Sequence, residues 1–169
     1  MSSDSTNFIP SIDNLLIIPA DEINYESLST LTLTQLATQK TDPFIATSGL
    51  GELAQRDPQK TKEAAAQILD AGIWDRHLTA FALTLLYDRD PEGAIPRMAE
   101  LALTEDPKIL EALIENILSD SVRFQSAPEN QLARAIARRV AAIHPDAFAD
   151  LEQRDKFLKL FGDKRPEST

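Results

Sequence analysis

Asp is followed by Pro at four places in this chain, Asp42-Pro43, Asp57-Pro58, Asp90-Pro91 and Asp106-Pro107, and each pair opens a stretch with helical periodicity. The carboxylate of Asp caps the unpaired N–H groups at a helix start, and Pro fits the first turn because no N–H is needed there. A chain that repeats this start signal is expected to be a succession of short helices, each turned back on the last. That constrains the architecture far more than the activity.

A repeat underlies the signal. Shifting the chain by 33 residues lays Leu50, Leu53, Arg56, Asp57 and Pro58 over Leu83, Leu86, Arg89, Asp90 and Pro91. The same shift puts Ala65, Ala66 and Ile68 over Met98, Ala99 and Leu101. A shift of 32 lays Leu78, Ala80, Phe81, Leu85, Leu86 and Asp88 over Leu110, Ala112, Leu113, Ile117, Leu118 and Asp120. Two helices and two turns fit one such period, so the unit is a helical hairpin.

Apolar residues at i, i+3, i+4 and i+7 mark individual helices. Leu78, Phe81, Ala82, Leu85 and Leu86 form one stripe, and Leu110, Leu113, Ile114, Ile117 and Leu118 form a second. Thinner stripes run through Ile95, Met98, Ala99 and Ala102 and through Leu132, Ala133, Ile136, Ala137 and Val140. Eight helices are expected, at 32–40, 43–55, 58–71, 75–88, 91–104, 107–119, 128–143 and 146–161. Gly49 and Gly51 weaken the second of these by about 1 kcal/mol each relative to Ala. Gly72 stands where a left-handed helix end is expected, and Ser126 and Glu129 have the spacing of a capping box with Pro128 in the first turn. Residues 1–27 read as an extended arm partly docked through apolar side chains such as Phe8, Ile9 and Leu15. Residues 28–161 read as one helical-repeat domain, and 162–169 as a disordered tail.

This pattern, clearest over residues 75–90, 91–105 and 107–120 and extending loosely over 42–143, resembles the HEAT-repeat class of α-solenoids. The Trp, Gly and Tyr spacing of tetratricopeptide repeats is missing. The resemblance implies an all-α fold, a right-handed stack of antiparallel hairpins with an irregular N-terminal arm. It also implies a scaffold whose extended surface binds another macromolecule. It carries over no catalytic residue.

Charge narrows the partner. The chain has a net charge of −10. Residues 72–122 hold ten acidic and four basic side chains, whereas 123–169 hold seven acidic and nine basic. Such acidity repels phosphate backbones and anionic lipid surfaces, so neither nucleic acid nor membrane is an expected partner, and it speeds encounter with a basic protein. Solubility alone is the plainer account of the same charge. Cysteine is absent, which fits a cytoplasmic protein. The apolar run Leu15 to Ile18 is far below the roughly 20 residues a bilayer span needs.

Signatures of chemistry are sparse. Only His77 and His144 exist, with no second His one turn away, so no metal site is expected. A phosphate-binding Gly-rich loop and a nucleophile elbow are missing, and no catalytic residue or cofactor is assigned. Trp74-Asp75-Arg76-His77 could form a polar pocket; more simply, Asp75 caps the following helix and Trp74 packs over its first turn. Glu111 and Glu115, beside Lys108, could act as acid and base but read first as a solvated face. Arg134, Arg138 and Arg139 form a basic row suited to pairing with acidic side chains of the 91–104 helix, including Glu100, or to gripping a carboxylate or phosphate on a partner.

In a HEAT-like stack the second helix of each hairpin lines the concave side. Those helices would present Glu63, Gln67 and Asp70, then Arg97 and Glu100, then Arg134 and Arg138 as a strip grading from acidic to basic. The expected function is a non-catalytic protein–protein interaction module using that strip. An immunity or inhibitor protein that neutralises a basic toxin such as a nuclease is a more concrete version. A HEAT-like enzyme or chromophore-lyase-type accessory protein is a third class.

Overall fold

The computed structural model describes residues 11–163 of the 169-residue chain. Among the described residues there is no strand. The α-helices are α1 (Ile12–Leu15), α2 (Thr30–Thr38), α3 (Pro43–Arg56), α4 (Pro58–Asp70), α5 (Arg76–Arg89), α6 (Pro91–Leu101), α7 (Pro107–Ser119), α8 (Ser121–Phe124), α9 (Glu129–Ala141) and α10 (Leu151–Phe161). Each of the eight expected segments holds one helix. The four-residue α1 and α8 are additional, being too short to show a period. Three helices are shorter than expected. α6 stops at Leu101, α9 stops at Ala141, and α10 starts only at Leu151, after a separate 3-10 turn at Pro145–Ala147.

All four Asp-Pro pairs sit at helix starts, with the Asp side chain capping and the Pro in the first turn. Asp42 accepts from the N–H groups of Phe44 and Ile45 at 2.9 and 3.2 Å. Asp57, Asp90 and Asp106 accept from Lys60, Gly93 and Lys108 at 3.0, 3.1 and 2.9 Å. Asp75 and Asp150 cap α5 and α10 in the same way without a following Pro. Gly72 adopts φ +86° beyond α4, where only Gly is unstrained. The capping box at Ser126 and Glu129 is not formed: Pro128 occupies the cap position of α9, and no side chain accepts from the first turn. Ser126 stands two residues too early, and its backbone oxygen, not its hydroxyl, accepts from Asn130.

Packing is local and regular. Consecutive helices from α2 to α7 touch, and so do alternate ones: α2 with α4, α3 with α5, α4 with α6, α5 with α7. α10 packs on both α7 and α9. Leu33, Leu36, Ile45, Leu50, Leu53, Leu83, Leu86 and Met98 are completely or almost completely buried. α5 lies against α3, α4, α6 and α7, and so buries Thr79, Ala80, Leu83 and Tyr87 in addition to its expected stripe. Phe81, assigned to that stripe, is only partly buried. Four neighbours leave α5 little free surface.

The 33-residue register also organises polar clips. Arg56, at the end of α3, donates to the carbonyls of Leu28 and Tyr25 at 2.8 and 2.7 Å. Its counterpart Arg89, at the end of α5, donates to the carbonyls of Leu85 and Ala54 at 3.2 and 3.3 Å. Arg56 ties α3 to the segment before α2, and Arg89 ties α5 to α3. The Arg56 clip and the buried side chains of Leu15, Ile23 and Leu28 hold residues 11–28 against the helices. Phe8 and Ile9 lie outside the described residues.

Candidate interaction surface

The strip expected to bind a partner is partly spent on itself. Glu63, Gln67, Asp70, Glu100, Arg134 and Arg138 are exposed and Arg97 is half-buried. Asp70 and Arg97 form a two-pronged pair, with Nε and Nη2 donating to the carboxylate at 2.8 and 2.9 Å. The Arg97 hydrogen bonds hold the Asp70 carboxyl below the usual Asp value, and the Asp70 carboxylate in turn raises Arg97. Glu63 is held low by hydrogen bonds from Gln59 and Lys60. In the arginine row, Arg139 pairs with Glu105 at 3.5 Å and Arg138 with Asp163 at 3.8 Å. Glu100, the expected acceptor, makes neither bond: Arg139 finds its partner past the end of α6 and Arg138 past the end of α10.

The pair Glu111 and Glu115 is not the plain solvated face that the α7 stripe suggests. Glu111 is half-buried and accepts the N–H of Ala149 at 2.6 Å. With Lys108 it borders a hollow of about 490 Å³ between α7, the α5 residues His77, Phe81 and Thr84, and the α10 start. A second hollow, about 550 Å³, adjoins this one at His77 and is bordered by Asp21, Asp75 and the α3 residues Phe44, Thr47 and Ser48. A third, about 390 Å³, shares Glu115, Asp150 and Gln153 with the first and continues along Glu152 and Lys156. Together they make an open trough across α3, α5, α7 and α10.

The Trp74–His77 cluster does not converge. Asp75 caps α5 through the Leu78 N–H at 2.9 Å, as expected. His77 borders the trough, whereas Trp74 borders a separate hollow of about 250 Å³ with Lys40, Gln67 and Leu78. His144 sits apart, its Nδ1 accepting the Asp146 N–H at 3.2 Å. Among the described residues no three His, Cys, Asp or Glu side chains are placed to hold a metal ion. No described helix is long and apolar enough to cross a membrane.

Phe44, Thr47, Asp150 and Gln153 were not singled out from the sequence, and Phe81 was read only as part of a buried stripe. A signal for Phe44, Thr47 and Phe81 was present. Phe44, Thr47, Ser48 and Gly51 lie 33 residues before His77, Ala80, Phe81 and Thr84, so the repeat puts both sets on one helix face. Searching the repeat for its buried positions hides Phe44 and His77, the aligned pair that is exposed in both helices.

Comparison with known proteins gave no match: no family model, no curated protein and no solved structure matches this chain.

Proposed function

We propose that this chain is a non-catalytic HEAT-like scaffold that binds a partner protein, and that the binding face is the trough over α3, α5, α7 and α10. The observation that carries this is Phe44: a large apolar side chain left 74% exposed at the mouth of a hollow of about 550 Å³. Exposed aromatics beside a concavity are a recurrent feature of protein-binding surfaces. Contacts between alternate helices support the solenoid reading, in which right-handed stacking of antiparallel hairpins repeats one face along the molecule. The strip of Glu63, Gln67, Asp70, Arg97, Glu100, Arg134 and Arg138 is the second candidate face. Its Asp70–Arg97 pair leaves it fewer uncommitted charges.

A photo-crosslinking residue placed at Phe81, Glu115 or Glu100 in the native source tests both faces. A specific adduct from Phe81 and Glu115 supports the trough, and one from Glu100 alone moves the site to the strip. Absence of any adduct at all three positions refutes the binding reading. The acidic lining of the trough favours one special case, an inhibitor that occupies a basic toxin. In that case the adduct is a basic protein whose toxicity this chain suppresses.

A further inference from the structure

We infer that the trough takes a basic segment anchored by one bulky apolar side chain, which seats beside Phe44; this rests on the protein-binding reading above. The two ends of the trough differ in chemistry. At the α3 end, Phe44, Pro43 and Ala20 give an apolar bay. Towards α7 and α10 the lining carries Glu111, Glu115, Asp150 and Glu152 against Lys108 and Lys156, an excess of two negative charges. Asp21 and Asp75, bordering the bay, raise that excess to four.

Several of these carboxylates are committed locally. Asp75 and Asp150 cap helices, and Glu111 accepts the Ala149 N–H. Those bonds are to neutral N–H groups, so the negative charge is fixed in place and not cancelled. Glu115 and Glu152 form no ion pair among the described residues. The strip on α4 and α6 differs, because there Arg97 and Lys60 neutralise Asp70 and Glu63. Charge complementarity across a concave surface favours a cationic occupant and sets its register, while burial of an apolar anchor supplies the slow dissociation. An acidic or purely polar segment would gain neither.

The test uses the full chain and a fluorescein-labelled 12-residue peptide of Lys, Gly and Ser with one central Phe, followed by fluorescence anisotropy. Saturable binding is expected, weakened at least tenfold by replacing the peptide's Phe with Gly or its Lys with Glu. Glu115→Lys with Glu152→Lys is expected to weaken it at least tenfold. Phe44→Ser is expected to weaken it several-fold and to leave the salt dependence unchanged. Glu63→Lys with Glu100→Lys alters net charge equally and is expected to change affinity less than twofold. No binding, equal loss from the Glu63/Glu100 pair, or a dimer of this chain dissolved by Phe44→Ser would each overturn the inference. The crosslinking result stands independently: a Phe81 adduct unaffected by Glu115→Lys and Glu152→Lys would keep a partner in the trough while refuting the basic occupant.

Discussion

Two glycines in α3 give opposite answers to the same substitution, and the difference measures how closely the helices approach. A Cβ at Gly51 would meet only the Phe81 ring, at 3.9 Å, an ordinary contact. Gly51→Ala therefore gains helix propensity with no penalty, about 1 kcal/mol. For a domain of this size that raises Tm by roughly 2–4 °C. A Cβ at Gly49 would stand 3.2 Å from Leu36 Cβ and 3.4 Å from the Ala37 nitrogen and Leu33 oxygen. Two of those three neighbours are α2 backbone, which cannot rotate aside. Overpacking of this kind costs about 1–3 kcal/mol, so the same propensity gain leaves Gly49→Ala between neutral and about 2 kcal/mol destabilised. Urea unfolding of the three proteins, compared at equal m-value, reads the difference directly. Equal stabilisation by both substitutions would refute the close α2–α3 approach.

Removing a helix cap has a defined cost. Asp57→Ala should lose about 0.5–2 kcal/mol in urea unfolding, whereas Ser126→Ala, which caps nothing, should stay within about 0.5 kcal/mol. Burial and the Asp120 hydrogen bond at 2.7 Å push the Tyr87 phenol well above the ordinary tyrosine range, and burial raises Tyr25 as well. Absorbance at about 295 nm should therefore show well under half of the tyrosinate signal at about pH 10, the ordinary tyrosine value. Since these folded-state values are raised, their contribution to stability is present below that pH and is lost as pH climbs through them. Asp70 runs the other way: its value is lowered by Arg97, so its contribution is present above the ordinary Asp value and is lost as pH falls through the folded one. Asp70→Asn should cost under about 1 kcal/mol at neutral pH, because Asp70 is exposed to solvent screening, and the gap to the parent protein should close in acid.

Helix starts were legible because their signal is local. An Asp followed by Pro leaves the chain few alternatives, and each such Asp caps its helix. Ser126 and Glu129 carried an equally local signal that failed, because Pro128 takes the cap position and shifts Ser126 out of register. α5 shows the limit of a stripe: its burial is set by neighbours on several sides, which periodicity in one segment does not encode. The trough was hidden for the same reason. Asp150 and Gln153 reach it from α10, far along the chain from His77, and only tertiary packing brings them to one rim. Six strip residues are exposed and Arg97 is half-buried, and the neutralisation of Asp70 depends on its 2.8 Å distance to Arg97, which no sequence spacing specifies.

Hydrogen exchange of the full chain with and without the Lys-rich, Phe-bearing peptide tests the central claim most directly, that α3, α5, α7 and α10 present the recognition face. Added protection is predicted in residues 43–48, 76–84, 107–115 and 150–156, with α6 and α9 unchanged. Protection confined to α4, α6 and α9, or none at saturating peptide, would contradict it.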